Sequence, residues 1–247
     1  MSRLLTSRRL GLGLAVMLIG SNAVNNVLKL LFHRESRKLL GVHVIGEAPT
    51  GEAALRLDTA DPHAFNALVR PDAYMEMRRD QQDAMERAAV LYPELDADWR
   101  VLTGRGWGPV ESYRAEGADL VLVTSGTITS TAREVVDRRR DEGDAVGLLK
   151  VKMFRPFPTT AIRQALRGVR RVAVLDRNVS PGHGGIFAEE IRSALYDVPP
   201  DDRPALYGYV LGLGGRDVTP AVIDDVIERT RASDAPVRED LWVGVLP

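Results

Sequence analysis

The chain has 247 residues, enough for one large domain or for a domain of about 130 residues with a substantial extension. Hydrophobic residues make up 45% and charged residues 27%, and 33 basic against 34 acidic side chains leave a net charge of −1, so no overall field draws the chain to nucleic acid or to an anionic membrane. The sequence has no cysteine, which excludes disulfides, a thiol nucleophile and an iron–sulfur cluster held by this chain's own thiolates. Its four histidines, His33, His43, His63 and His183, lack the spacing of a zinc site.

Residues 1–21 form a leader open to two readings. Arg3, Arg8 and Arg9 precede an apolar run over residues 10–19, and Ser21-Asn22-Ala23 resembles a small-residue cleavage site. Ser7-Arg8-Arg9 looks like a twin-arginine export signal. The run is too short to span a bilayer, and the other reading is a weakly packed leader. Residues 27–32 and 39–45 are strand-like runs separated by the polar HRESRK and closed by Gly46, the pattern of a β-hairpin. This stretch, NNVLKLLFHRESRKLLGVHVIGE within residues 22–57, resembles the first hairpin of the dimerisation domain of pyridine-nucleotide disulfide reductases and soluble transhydrogenases. Nothing nearby matches the catalytic histidine of the disulfide reductases, so that activity does not transfer.

The turn-rich DTADP at residues 58–62 marks a boundary. Residues 74–92 predict a charged amphipathic helix with Met75, Met85 and Ala89 near one stripe. Pro93 is expected to start a second short helix, carrying Trp99 and stopped by Gly104, and residues 110–113 an edge strand. Residues 58–115 thus read as a helical arm packed against a partner surface.

From residue 116 the pattern is a regular alternation. Residues 119–124 are an apolar run suited to a strand buried on both faces, followed by the small residues Ser125-Gly126-Thr127 and a helix stopped at Gly143. Residues 146–153 return to the sheet, completing a right-handed βαβ unit. After FRPFP at residues 154–158, Thr159 is expected to cap a helix to Leu166. Then come a strand at 171–175, a glycine-rich loop at 180–185, a helix at 186–196, a strand at 205–211, and a last helix opened by Thr219 and Pro220. Residues 116–233 therefore predict an open parallel α/β sheet with helices on both faces, and 234–247 an extended tail.

Three loops gather at the carboxyl edge of such a sheet: 124–130, 154–158 and 176–185. Ser125, Gly126 and Thr127 supply hydroxyls and amides suited to a phosphate, or serve only the turn and the helix cap. Arg155 and Arg177 stand just past strand ends, where each suits an anionic ligand or a carboxylate across an interface. Asn178, Gly182, His183, Gly184 and Gly185 shape the third loop. His183 is either a proton relay or a solvated loop histidine. Asp176 either orients Arg177 or ends its strand. Gly212, Gly214 and Gly215 lack the context of a dinucleotide fingerprint.

In combination, DAYMEMRRDQQDAMER, VLVTSGTITSTAREVVDRRRDEG, VGLLKVKMFRPFP, VAVLDRNVSPGHGG and GLGGRDVTP resemble the α subunit of pyruvate:ferredoxin and related 2-oxoacid:acceptor oxidoreductases, over about residues 58–231. The resemblance implies a transketolase C-terminal-like domain after the tail of a thiamine-facing domain. It implies a cytoplasmic complex that oxidatively decarboxylates a 2-oxoacid such as pyruvate to an acyl-CoA. Thiamine diphosphate and iron–sulfur clusters would come from a partner subunit, with ferredoxin or flavodoxin accepting the electrons. The family's thiamine-activating glutamate and its Tyr-Pro-Ile-Thr-Pro-type loop have no counterpart here, so the chain reads as a truncated or fused α subunit, inactive alone, with no catalytic residue and no metal of its own. A non-catalytic module dimerising through residues 22–57 is the alternative; a dinucleotide-binding flavoprotein fragment is disfavoured.

Overall fold

The structure, a computed structural model, describes residues 69–236 and 240–246. The leader, the hairpin resemblance at 22–57 and the junction at 58–62 lie outside the described residues. The chain divides into two compact units between Gly106 and Trp107.

In the first unit the described residues form one helix, α1 (Pro71–Thr103). The break expected at Pro93 does not occur. A proline inside a helix removes one hydrogen bond and crowds the preceding turn, at about 3 kcal/mol. The Met, Glu, Arg, Ala and Leu residues on both sides are strong helix formers, and the helix runs through. Pro71 sits at the start, where its missing N–H costs nothing. Gly104 ends the helix in the left-handed conformation (φ 74°), its amide donating to the Arg100 carbonyl. No helix among the described residues is long and apolar enough to cross a membrane.

The second unit is a six-stranded sheet with helices on both faces. In chain order its elements are β1 (Val110–Tyr113), β2 (Leu120–Thr124), α2 (Ile128–Asp141), β3 (Val146–Val151), α3 (Thr159–Ala165), β4 (Arg171–Asp176), α4 (Ile186–Leu195), β5 (Ala205–Val210), α5 (Pro220–Ala232) and β6 (Leu241–Trp242). The strand order is β1-β3-β2-β4-β5-β6. Every pairing is parallel except β1 against β3, where Val110 stands opposite Val151. The edge strand expected at 110–113 thus belongs to the sheet rather than to the arm.

β2 through β5 are buried on both faces, and their alternation sorts side chains between two cores. Leu120 and Leu122 of β2, Leu148 of β3 and Leu175 of β4 meet Ile128, Val135 and Val136 of α2 and Ile223 and Ile227 of α5. Val121 and Val123, Leu149 and Val174 point the other way, to Ile162 of α3 and Ala188 and Ile191 of α4. Arg139 ties α2 to α5 by ion pairs to Asp224 (2.8 Å) and Glu228 (2.6 Å).

Two local expectations need correction. Thr159 is the first helical residue of α3, preceded by Pro158 in the cap position. The segment read as an extended tail supplies β6: Leu241 and Trp242 pair with Tyr209 and Val210 of β5, and the Val243 amide donates to the Val210 carbonyl. Two ladder residues are too few to leave a periodic signal in sequence.

Candidate functional site

The topology picks out one crevice. From β2 the chain passes into α2 on one face and reaches β3; from β4 it passes into α4 on the opposite face and reaches β5. The loops after β2 and β4, neighbouring strands, therefore diverge. In open α/β sheets ligands enter at this switch point, outside the carboxyl ends of the strands.

Arg177 spans the crevice. Its Nη1 donates to the Thr127 hydroxyl at 2.7 Å, and its Nε and Nη2 reach the Gly212 carbonyl after β5 at 3.4 Å. Thr127 is the cap position of α2, and Gly126 before it turns with φ 71°, open to glycine at no steric cost. The Ser125 hydroxyl donates to the Val151 carbonyl (3.1 Å), binding this loop to the end of β3. A fixed cation, a hydroxyl and the start of a 14-residue helix thus share one spot, the elements that suit a phosphate or carboxylate. Arg177 remains exposed, and its bonds to Gly212 are long enough to yield to an anion.

The third loop is organised differently. The amides at the start of α4 are taken by the protein's own side chains: Ile186 donates to Asn178 Oδ1 (2.9 Å), Phe187 and Ala188 to the two Asp176 oxygens (3.0 and 2.9 Å), and Gly185 to Asp240. A tight turn closed between Ser180 and Gly184 carries Gly182 and His183. His183 is exposed and lies 3.5 Å from Glu189. Arg155 stands apart from Arg177: it pairs with Glu190 of α4 and lies over the Phe154 ring, 4.1 Å from its centre.

Of the sequence-predicted residues, Ser125, Gly126, Thr127 and Arg177 therefore meet in the crevice. Asn178 and Gly185 serve the start of α4, Gly182, His183 and Gly184 the turn before it, and Arg155 a surface ion pair. Asp176 does not orient Arg177. It is fully buried and caps α4, and its burial, only partly opposed by the Ala188 and Phe187 amides, pushes its carboxyl up to about 6. Asp240 and Arg192, paired at 2.8 Å, escaped the sequence reading, because nothing local marks a contact between residues 48 positions apart.

Residues 118–223 match the family model for pyruvate:ferredoxin oxidoreductase core domain II. The chain carries that family's core domain II. It is 40% identical over 197 residues to pyruvate synthase subunit PorA of Methanothermobacter thermautotrophicus, covering 80% of this chain and 49% of that one. PorA of Thermotoga maritima is 40% identical over 189 residues, 76% of this chain and 48% of the relative. Ketoisovalerate oxidoreductase subunit VorA of Pyrococcus horikoshii is 37% identical over 163 residues, 66% of this chain and 41% of the relative. The chain spans about half the length, or less, of these curated relatives.

Without cysteine in the sequence, and without a group of three His, Asp or Glu able to hold a metal among the described residues, the chain does not fit an iron–sulfur cluster. The pyruvate:ferredoxin oxidoreductase domain offers instead a cationic crevice at the edge of a rigid sheet.

Proposed function

We propose that this chain works as an α-subunit component of a 2-oxoacid:ferredoxin oxidoreductase in the cytoplasm. In this reading it supplies the core-domain-II layer of a complex whose partner subunit carries thiamine diphosphate and the iron–sulfur clusters. The complex decarboxylates a 2-oxoacid such as pyruvate, transfers the acyl group to CoA, and passes two electrons to ferredoxin or flavodoxin. Thiamine supplies the carbanion chemistry, and the protein supplies orientation and electrostatics. The observation that carries the proposal is the 40% identity to PorA across 80% of the chain.

Within that complex the chain's part is assembly, together with the Ser125–Thr127 and Arg177 crevice as an anion-facing surface for CoA. CoA carries phosphates, and a guanidinium fixed at a helix start is a suitable receptor for one. Arg155, beside Phe154 and Glu190, is placed for an interface with the partner subunit.

The test is co-expression of the full chain with the thiamine- and cluster-bearing subunits of a 2-oxoacid:ferredoxin oxidoreductase. The expected result is a co-purifying complex that reduces a viologen dye only when pyruvate, or another 2-oxoacid, and CoA are both present. The chain alone is expected to be inactive. A chain that ignores those subunits and purifies as a cofactor-free homodimer overturns the proposal and favours the dimerising module.

A further inference from the structure

We propose that residues 240–246 form a proton-sensitive latch: Asp240 fastens the C-terminal strand over the glycine loop, and protonation of the neighbouring Asp176 tightens it.

Two buried carboxylates converge on one glycine. Asp240, its side chain 3% exposed, accepts from the Gly185 amide, and a Cβ on Gly185 would collide with Asp176. Asp240 is inlaid rather than laid on the surface, because a Cβ at Gly184 would stand 2.7 Å from its Oδ2 and one at Gly208 of β5 would meet its Oδ1. Gly184 and Gly208 thus make room for the Asp240 carboxylate, and Gly185 makes room for Asp176. Beyond Asp240 the strand is held by two ladder residues, the Val243 amide on the Val210 carbonyl, Arg216 on the Gly244 carbonyl, and the packing of Leu241 and Val243 on the core. Trp242, Val245 and Leu246 are mostly exposed, whereas Leu241 and Val243 are partly buried against the core on the α2/α5 face of the sheet, so apolar burial holds only part of residues 240–246 down. Asp240 is the charged fastening of this strand, beside the apolar contacts of Leu241 and Val243.

The charges around it set the response. From α4, Arg192 holds Asp240 Oδ1 at 2.8 Å and also pairs with Glu189, which meets His183 of the loop. From the end of β4 comes Asp176, of the same sign as Asp240. Ionised together, the two carboxylates repel each other in a poorly hydrated place; with a proton on Asp176 that repulsion is gone, while Arg192 and Gly185 still hold Asp240. The latched form thus binds a proton more tightly than the lifted form. Latching is favoured as pH falls toward about 6 and is weakened as pH rises above it. Lifting the strand leaves the Gly185 amide and Arg192 without their carboxylate at the carboxyl edge of the sheet, so the latch governs access to the glycine loop.

The experiment is amide hydrogen exchange of the full chain, corrected for intrinsic rates, read at residues 241–243 between pH 5 and pH 8. Wild type is expected to show protection falling about threefold across this range, the effect of about half a pK unit of coupling, since burial rather than Asp240 is the main cause of the raised Asp176 carboxyl. Asp240→Asn should show low protection at every pH, and the carboxyl-carbon NMR titration of Asp176 should move to lower pH in that variant. Asp176→Asn should hold protection at the low-pH level throughout. His183→Gln is the control and should keep the wild-type pH profile. Unchanged protection in Asp240→Asn, an unmoved Asp176 titration, or a pH response that vanishes in His183→Gln would each overturn the latch. The Asp240→Asn and His183→Gln arms decide the matter even if Asp176→Asn fails to fold.

Discussion

At the level of single residues, a carboxylate and a guanidinium do the most to shape the candidate site. Asp176 accepts two amides at the start of α4 while fully buried, so its cap geometry favours the charge and its burial opposes it. Its carboxyl, raised to about 6, takes up a proton more readily in the folded chain than in the unfolded one. Its contribution to stability is therefore largest below the ordinary carboxylate range and is lost as pH rises through 6. Asp176→Asn keeps the shape but turns an NH2 toward one of the two amides. It should cost about 1–3 kcal/mol at pH 5, where Asp176 is mostly neutral in the fold. The gap to wild type should narrow by about 1.4 kcal/mol on going to pH 7, as denaturant titrations at the two pH values will read. Arg177 acts at the crevice rather than in the core. In the assembled complex Arg177→Ala should raise KM for CoA by about tenfold, the worth of one charge-assisted hydrogen bond, with kcat little changed. A KM that does not move would remove CoA from this crevice while leaving the subunit assignment standing.

Among the elements, α1 and β6 depart from what their residues suggested, each for a stated physical reason. Pro93 looked like a boundary because proline lacks a donor and crowds the preceding turn, yet α1 continues from Pro71 to Thr103. Replacing it with alanine restores a donor to the Ala89 carbonyl. Pro93→Ala should slow amide exchange around residues 89–97 about tenfold or more, and a break that only proline could tolerate would instead leave exchange unchanged or faster. For β6 the decisive contact lies outside the strand. Leu241 and Trp242 have no pattern of their own; they lie on the open edge of β5, with Leu241 against the core and the Asp240 carboxylate held beside them. By contrast β2, β3 and β4 are continuous Val- and Leu-rich runs, legible because burial on both faces demands that composition.

Across the whole chain, the PorA relationship and the sheet agree on the nature of residues 118–223, which carry core domain II and hold β2 through β5 with their connecting helices. That layer has two apolar cores and its loops diverge between β2 and β4, which opens the crevice at one edge. What the sequence by itself determined is the alternation of apolar runs and amphipathic segments, and with it a parallel α/β sheet, the small-residue turn at 125–127 and the absence of a home-made cluster site. These are properties of composition and period, which neighbouring residues carry without help. Only the tertiary structure decided that Arg177 bridges Thr127 to Gly212, that Asp176 caps α4, and that Asp240 returns to Gly185. Each of those contacts joins residues separated by 11 to 55 positions, and burial, glycine clearance and charge balance at such range exist only once the strands have been laid side by side.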